Sequence, residues 1–341
     1  MSEVLERAGG EASTARPRLG FLGVGWIGRH RMEAVLATGQ ADIVGISDPN
    51  PEMAGAAAEL SKQAEVVGSI DELLALDLDG LVIATPSALH AEQSIRALEA
   101  GVAVFCQKPL GRTAAEARAV VDAARSADRL LGVDFSYRFT EGMRRIRELI
   151  AGGELGEIFA VDLVFHNAYG PDKDWFYDKS RSGGGCVMDL GVHLVDLALW
   201  CLDFPAVDDV SAKLFAGGRP LPADAAEVED YATATLGLAS GTAVDLACSW
   251  RLQAGQDAII KASFYGTGGG ASLRNVGGSF YDFVAERYHG TATEELGGPP
   301  DAWGGRAAAD WASRLAAGEQ FGEEAERLVE VASVLDRVYG R

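Results

Sequence analysis

The sequence is poor in cysteine, in positive charge and in long apolar runs, and each shortage excludes a class of protein. Four cysteines among 341 residues stand too far apart for a zinc site or a disulfide framework; they are Cys106, Cys186, Cys201 and Cys248. Free thiols fit a reducing compartment. We therefore expect a cytoplasmic protein without a metal centre.

Positive charge is scarce, because 30 Lys and Arg side chains stand against 50 Asp and Glu, which gives a formal net charge of −20. Such a field repels phosphate backbones and anionic lipid headgroups. We expect neither nucleic acid nor a membrane as a partner.

No apolar run reaches the ~18 residues that a membrane-spanning helix needs. The longest candidate, Leu190 to Leu202, is interrupted by His193 and Asp196. The first residues lack the apolar middle section of a secretory signal, and residues 1–16 are predicted to form a disordered polar leader.

What is present is the composition of a folded globular protein, with 48% hydrophobic and 23% charged residues. At roughly 150 residues per domain, the length predicts two domains. The hydrophobic pattern changes after about Phe135, which divides the chain into residues 17–135 and 136–341.

In residues 17–135, short apolar runs alternate with segments of helical period, as the βαβ units of a parallel α/β sheet require. The predicted strands are Arg18–Leu22, Ile43–Ser47, Val66–Val67, Leu81–Ala84, Val102–Cys106 and Leu130–Asp134. The predicted helices are Trp26–Thr38, Pro51–Lys62, Asp71–Leu76, Leu89–Ala100 and Thr113–Ala127.

Residues 136–341 contain strands that follow one another without helices, which predicts an α+β domain with an open, mostly antiparallel mixed sheet. The predicted strands are Ile158–His166, Val207–Phe215, Tyr231–Leu238, Thr242–Trp250 and Ala258–Tyr265, after a helix at Glu141–Ala151. A terminal helix, Glu323–Tyr339, has apolar positions at helical spacing and is expected to pack on a domain face, with the N-terminal domain as one possibility. Residues 266–270 and 297–305 are predicted to be loops.

A glycine motif predicts dinucleotide binding in the first domain. Residues 23–28 match G-x-G-x-x-G between a strand and a helix, so Gly23, Gly25 and Gly28 permit the turn, the approach of pyrophosphate and close packing, with Trp26 and Ile27 beside them. Asp48 stands twenty residues beyond Gly28, where a carboxylate accepts hydrogen bonds from an adenosine ribose. Pro49-Asn50-Pro51 offers no arginine to a 2′-phosphate, and the cofactor is predicted to be NAD, with NADP disfavoured.

Further cofactor contacts are predicted at neighbouring strand ends, namely from Thr85, Pro86, His90 and Gln107. Ser87 is an alternative helix cap at the same place. Lys108, one of only six lysines, follows the predicted strand Val102–Cys106 and therefore faces the ligand crevice of an open α/β sheet. We assign it both to cofactor binding and to catalysis, against the ordinary reading of a solvated loop lysine.

A second dense motif runs from Gly183 to Asp196. Asp189 and His193 are four residues apart, so on a helix they share one face. Histidine suits proton exchange near neutrality, and a nearby carboxylate, Asp189 or Asp196, is expected to raise its pKa and orient its ring. A core histidine is the structural alternative; the triplet Gly183-Gly184-Gly185 favours the functional one, because it is expected to clear space for a ligand.

Together, the glycine motif, Thr85-Pro86, Gln107-Lys108-Pro109 and the segment from Gly183 to Asp196 resemble the Gfo/Idh/MocA family of oxidoreductases, from about Arg18 onward. The resemblance implies a Rossmann domain, a C-terminal domain built on an open mixed sheet, homodimers or homotetramers formed through that sheet, and NAD(P)-linked hydride transfer on sugars or cyclitols. It also implies catalytic roles for Lys108, Asp189 and His193. The family commonly has glutamate where this chain has Gln107, so Lys108 is expected to lack a neighbouring carboxylate.

The resulting hypothesis is an NAD-dependent dehydrogenase or reductase acting on the CH–OH group of a small sugar or polyol. Alternatives are a nucleotide-sugar ketoreductase, an NAD-using glycosidase of the same family and a non-catalytic dinucleotide sensor. Substrate contacts are predicted from Asp189 and His193, together with Tyr137, Arg138, His166 and Lys179.

Overall fold

The computed structural model describes residues 16–222 and 225–341. Apart from Arg16, the predicted leader lies outside the described residues. The described chain forms two sheets, one parallel and one mixed, with helices between and around them.

The N-terminal sheet has six parallel strands. They are β1 (Arg18–Leu22), β2 (Asp42–Ser47), β3 (Glu65–Val66), β4 (Gly80–Ile83), β5 (Ala103–Cys106) and β6 (Leu131–Val133). The connecting helices are α1 (Trp26–Thr38), α2 (Pro51–Ala58), α3 (Ile70–Leu74), α4 (Ser87–Glu99) and α5 (Ala114–Ala127). The strand order β3-β2-β1-β4-β5-β6 reverses between β1 and β4, and a sheet of this kind binds ligands at that point.

The second sheet has nine strands in the order β15-β14-β13-β12-β7-β11-β10-β8-β9. They are β7 (Ile158–Asn167), β8 (Val207–Ala216), β9 (Arg219–Pro220), β10 (Tyr231–Leu238), β11 (Ala243–Ser249), β12 (Ala258–Gly266), β13 (Gly270–Asn275), β14 (Phe283–His289) and β15 (Ala292–Gly297). The pair β7–β11 is parallel and the others are antiparallel. The predicted fold class is confirmed.

The helices of the second half are α6 (Glu141–Ala151), α7 (Lys179–Ser182), α8 (Val192–Cys201), α9 (Arg306–Ala316) and α10 (Arg327–Val338). Alternation along β7 buries Val161, Leu163 and Phe165, and α8 packs against this strand. The other face of β7 carries Asp162 and His166 and is partly exposed.

Strands β13, β14 and β15 and helix α9 were not expected from the sequence. Gly270, expected in a loop, begins β13. Strand β15 lies at the edge of the sheet and carries Glu294 and Glu295, so it lacks the apolar alternation of a covered strand. Helix α9 is amphipathic and buries Ala307, Ala308, Trp311 and Ala312.

The last two helices return to opposite faces of the N-terminal sheet. Trp311 of α9 is buried in a cluster with Phe21 and Phe105, and its ring centroid lies 5.7 Å from that of Phe105. A Cβ at Gly80 would lie 2.7 Å from the Trp311 ring, so glycine makes room for the indole. Helix α10 packs against α5 and α8.

Among the described residues, one helical stretch, Lys179–Cys201, has the length and apolar composition of a membrane span, and it is longer than the apolar run seen in the sequence. Gly183 to Gly185 interrupt it, and 89% of its most apolar window is buried inside the protein. It is therefore a core element of the second domain.

We predict that Trp311→Ala lowers the free energy of unfolding by about 3–5 kcal/mol, because it leaves a cavity between α9 and the N-terminal sheet. Urea denaturation measures this. Leu60→Ala is the matched control, since Leu60 is 39% exposed, and it should change the free energy by less than about 0.5 kcal/mol. Equal effects of the two changes would mean that α9 does not stabilise the sheet.

Candidate functional site

The glycine turn after β1 has the shape that a dinucleotide requires. Gly23 has φ +84°, and a Cβ there would lie 2.6 Å from the Ala84 carbonyl oxygen. At Gly28 a Cβ would lie 2.1 Å from the Gly23 oxygen, whereas at Gly25 it would meet open space. The N-terminus of α1 therefore opens onto free volume, with its N–H groups available to a pyrophosphate.

The carboxylate of Asp48 holds this turn. Its Oδ2 accepts from the Val24 N–H at 2.7 Å, and its Oδ1 accepts from the Asn50 N–H at 2.8 Å. A carboxylate oxygen has capacity for more than one hydrogen bond, so Asp48 can also accept from ribose hydroxyls. The neighbouring Trp26 is 64% exposed and stacks on His30 at 5.9 Å, while Ile27 is half-buried. These residues fit NAD.

His90, predicted to contact the cofactor, joins two loops of the site. Its Nδ1 lies 2.7 Å from the Pro109 carbonyl oxygen and its Nε2 lies 2.7 Å from that of Thr85. The ring is 1% exposed and both nitrogens lie at carbonyl oxygens, so His90 joins these loops in the structure, and its direct contact with the cofactor stays a prediction. Pro86, rather than Ser87, is the cap residue of α4, and Thr85 Oγ1 donates to Gln93.

Lys108, at the end of β5, reaches across to the second half of the chain. Its Nζ donates to Asp189 Oδ1 at 2.7 Å and to the Asp189 carbonyl oxygen at 2.7 Å. The other carboxylate oxygen, Oδ2, accepts from Trp250 Nε1 at 3.0 Å. Asp189 lies in a π-helical turn, Val187–Gly191, a distortion often found at functional sites. Lys108 therefore has a carboxylate partner from the second half of the chain, although the adjacent residue, Gln107, is an amide as the sequence shows.

His193 stands one turn further on, with an exposed fraction of 7%. Its Nδ1 is buried and, within the described residues, has no hydrogen-bond partner. The Tyr137 ring meets it edge-on at 5.0 Å. Burial, and then the charges of Lys108 and Arg31, hold the pKa of His193 well below its ordinary value. The expected upward shift of the His193 pKa by a carboxylate is wrong, because burial lowers this pKa and Asp189 pairs with Lys108 instead. His193 is therefore neutral at pH 7.

Asp196 and Arg138 bind each other rather than the histidine. Arg138 Nε donates to Asp196 Oδ2 at 2.8 Å, and its guanidinium lies over Phe135 at 5.0 Å. Asp196 is 1% exposed, so the pair is internal. Asp196 therefore pairs with Arg138 rather than with His193, and a substrate contact of Arg138 stays a prediction.

The glycine triplet makes room for protein rather than for ligand. A Cβ at Gly184 would lie 2.0 Å from Tyr339 Oη, and one at Gly185 would lie 1.9 Å from the Glu229 carbonyl oxygen. The buried Glu229 carboxylate accepts from the N–H groups of Gly185 and Val187, both at 2.9 Å, and from Tyr339 Oη at 2.7 Å. Glu229 and Tyr339 thus fix the start of the turn that carries Asp189. Sequence reasoning missed both, because no local pattern links them.

Two of the predicted substrate residues lie elsewhere. Phe165 faces His193, so the next residue, His166, lies on the opposite face of the sheet, where Nδ1 is 2.8 Å from Ser249 Oγ. Lys179 Nζ donates to the Ala225 carbonyl oxygen at 3.0 Å. The structure does not bring either one to Lys108.

Tyr137 does lie in the site, within an aromatic wall that the sequence did not reveal. Its ring centroid is 4.9 Å from that of Trp303, which in turn is 6.5 Å from that of Tyr281. Tyr281 is 54% exposed, so the wall runs from His193 to the surface. Strand register places Trp250 and the loop of Tyr281 at the same end of the sheet.

A glycine cradle, a lysine–carboxylate pair and a neutral histidine define a dinucleotide-dependent oxidoreductase. Models of an oxidoreductase family with an NAD-binding Rossmann fold and of the GFO/IDH/MocA C-terminal domain match residues 18–135 and 143–272. The chain belongs to the Gfo/Idh/MocA family, and the prediction of an NAD-dependent oxidoreductase acting on CH–OH groups is confirmed.

Similar proteins include the D-glucoside 3-dehydrogenase of Escherichia coli strain K12, 32% identical over 276 residues that cover 77% of this chain and 78% of that protein. The inositol 2-dehydrogenase of Acidiphilium cryptum strain JF-5 is 33% identical over 260 residues, covering 75% and 73%. The crystal structure of GenD2 from gentamicin A biosynthesis, in complex with NAD, has a TM-score of 0.79 at 25% identity and covers 99% of this chain and 98% of that one.

We predict that NAD binds more tightly than NADP. Asp48→Ala should weaken NAD binding and reduce the difference in affinity between NAD and NADP. The change removes a ribose acceptor, the repulsion of a 2′-phosphate and the hydrogen bond to Val24. Calorimetric titration of both cofactors measures this. Asp122→Ala, on the surface of α5, is the control and should leave both affinities unchanged; NADP binding as tight as NAD would contradict the prediction.

Proposed function

We propose that the protein transfers a hydride between NAD and a carbinol or ketone carbon of a sugar or cyclitol. The observation that carries the proposal is the Lys108 ammonium, held by Asp189 beside a neutral His193 at the ligand-binding edge of the cofactor sheet. The glucoside and inositol dehydrogenases among its relatives support a polyol substrate.

In the proposed reaction, His193 accepts the hydroxyl proton as the carbinol is oxidised. A neutral imidazole is ready to do so, and the buried Nδ1 leaves Nε2 as the ring nitrogen for this proton. The Lys108 ammonium stabilises negative charge that develops on the oxygen, while Asp189 and Trp250 hold the ammonium in place. Bound nicotinamide supplies the hydride acceptor in oxidation and the donor in reduction.

The aromatic wall supports a ring-shaped substrate. Sugar and cyclitol rings have apolar C–H faces, and Tyr137, Trp303 and Tyr281 offer apolar surface on the path from His193 to solvent. The phenol of Tyr137 adds a polar group for a substrate hydroxyl, and burial raises its pKa, so it remains a donor at neutral pH.

The alternatives gain no specific support. Lys179, a candidate for the diphosphate of a nucleotide sugar, is bound to a backbone carbonyl. A sensor would not need proton-exchanging groups. A screen of cyclitols, free sugars, glycosides and nucleotide sugars that follows NADH absorbance tests the substrate class, and turnover with nucleotide sugars alone would overturn the proposal.

We predict that His193→Ala lowers kcat by roughly 10²–10⁴-fold, the usual contribution of a positioned acid or base, without changing NAD affinity. Lys108→Ala should also lower kcat and raise KM, because the ammonium binds the oxygen in both ground and transition states. Steady-state kinetics and NAD titration measure these effects. His289→Ala, at the exposed end of strand β14, is the matched control; near-normal turnover in both site variants would place the chemistry elsewhere.

The pH profile gives a separate test. Because the pKa of His193 lies well below 6.5, its neutral form is complete at pH 7. We predict that kcat/KM for oxidation is flat through neutral pH and falls only on acidification, with protonation of His193. A limb centred above pH 7 that disappears in His193→Ala would contradict the lowered pKa of this histidine.

We also propose a division of labour in a cytoplasmic homodimer or homotetramer. Residues 17–135 bind the cofactor, and residues 136–341 bind substrate and a second subunit through the nine-stranded sheet. The motive is the partly exposed face of this sheet that carries Asp162 and His166, opposite α8.

Light scattering at micromolar concentration should show a dimer or tetramer. Ala247 lies on that face next to Val164, and Ala247→Arg should shift the protein toward monomers by placing a charge at the centre of the sheet. Ala100→Arg, at the exposed end of α4, is the control. A monomeric parent protein would contradict the prediction.

A further inference from the structure

A buried charge cluster lies directly behind Lys108. Arg31 of α1 donates through Nε to Asp134 Oδ2 at 2.6 Å, and Gln107 donates through Nε2 to the same oxygen. Arg31 is 6% exposed and Asp134 is 1% exposed. Gln107 directly follows β5 and precedes Lys108, and Asp134 directly follows β6. The cluster therefore ties the cofactor helix to the strand end that presents the lysine.

The cluster explains why residue 107 is an amide. A carboxylate such as Asp134 only accepts hydrogen bonds, so residue 107 must donate. Glutamate at this position would place a partly buried carboxylate next to the buried Asp134 with one guanidinium between them to share, and like charges at this distance cannot both stay ionised without cost. Gln107, where the family commonly has glutamate, thus supplies the donor that the Asp134 carboxylate requires.

We propose that Gln107 and Asp134 are a hydrogen-bonded pair that positions Lys108, with the single carboxylate of the cluster at position 134 rather than at 107. The proposal rests on the role proposed above for Lys108. Asp134 neutralises Arg31 and accepts a hydrogen bond from Gln107. Because Gln107 is the residue before Lys108, this hydrogen bond fixes the backbone from which the catalytic lysine extends. Neither residue touches the reacting atoms.

The surroundings of the pair show why the number of charges matters. Arg31 and Lys108 both act electrostatically on His193, and each stabilises its neutral form. Asp134 is the counter-ion of Arg31, and Asp189 is the counter-ion of Lys108. A second carboxylate at position 107 would add negative charge beside these groups. It would compete with Asp134 for Arg31 and with Asp189 for Lys108.

The experiment is a double-mutant cycle of Gln107→Glu, Asp134→Asn and the two combined, read by thermal unfolding without cofactor and by kcat and KM across pH. Gln107→Glu should lower Tm by roughly 5–10 °C and kcat by roughly 10²-fold at neutral pH, since it adds a partly buried negative charge next to Asp134 and displaces Lys108. The loss should shrink at low pH, where the new carboxyl is protonated and can donate to Asp134.

Asp134→Asn should also be destabilising, because Arg31 loses its counter-ion. The combined variant should recover most of both losses, since the new amide at position 134 can donate to the new carboxylate at position 107, and that carboxylate can pair with Arg31. Gln107→Met, which removes the donor without adding charge, should have a smaller effect than Gln107→Glu. Gln63→Glu, an exposed residue of the same domain, is the matched control for the added charge.

Additive effects in the combined variant, or a Gln107→Glu protein as stable and active as the parent, would overturn the proposal. If Gln107→Glu does not fold, recovery of folding in the combined variant still supports it, and failure of both contradicts it. The two proposals fail separately. Near-normal turnover in Lys108→Ala overturns the role of the lysine, whereas the Tm cycle reports the pair whatever the reaction is.

Discussion

The ion pair between Lys108 and Asp189 joins the two halves of the protein, and the site depends on it. Lys108 lies two residues beyond the end of β5 in the cofactor sheet, while Asp189 lies in a π-helical turn of the second half of the chain, 81 residues later. A partly buried, doubly hydrogen-bonded ammonium keeps its direction better than a solvated one. Since Trp250 fixes the other carboxylate oxygen, three separate segments set the place of one positive charge.

The remaining groups support this pair from behind. Arg31, Asp134 and Gln107 hold the lysine side, and Glu229 holds the backbone of the aspartate side. Burial of charged groups is costly unless each is paired or hydrogen-bonded; Asp134 pairs with Arg31, and Glu229 accepts hydrogen bonds from two N–H groups and Tyr339. The same low polarity keeps His193 neutral, so the environment that fixes the lysine also prepares the histidine to accept a proton.

The C-terminal helices make the two domains one functional unit. Trp311 of α9 packs on one face of the cofactor sheet, and α10 packs on α5 at the other. Tyr339, just after α10, bonds to Glu229 and passes beside the glycine triplet. Helices α9 and α10 and Tyr339 therefore contact both the helices and sheet of the N-terminal half and the turn that carries Asp189.

By itself, the sequence determined the features that depend on local pattern: the βαβ order, the glycine turn, the acidic residue twenty positions on, and the motifs that identify the family. The residue types at Lys108, Asp189 and His193 are equally local. Contacts between residues far apart in the sequence were decided only by the tertiary structure. Asp189 binds Lys108 rather than His193, Asp196 binds Arg138, and Gln107 binds Asp134. The spacing of Asp189 and His193 along one helix does not show that Lys108, from the other half of the chain, binds Asp189 instead. Burial, which lowered the pKa of His193 against expectation, is a property of the whole packed chain.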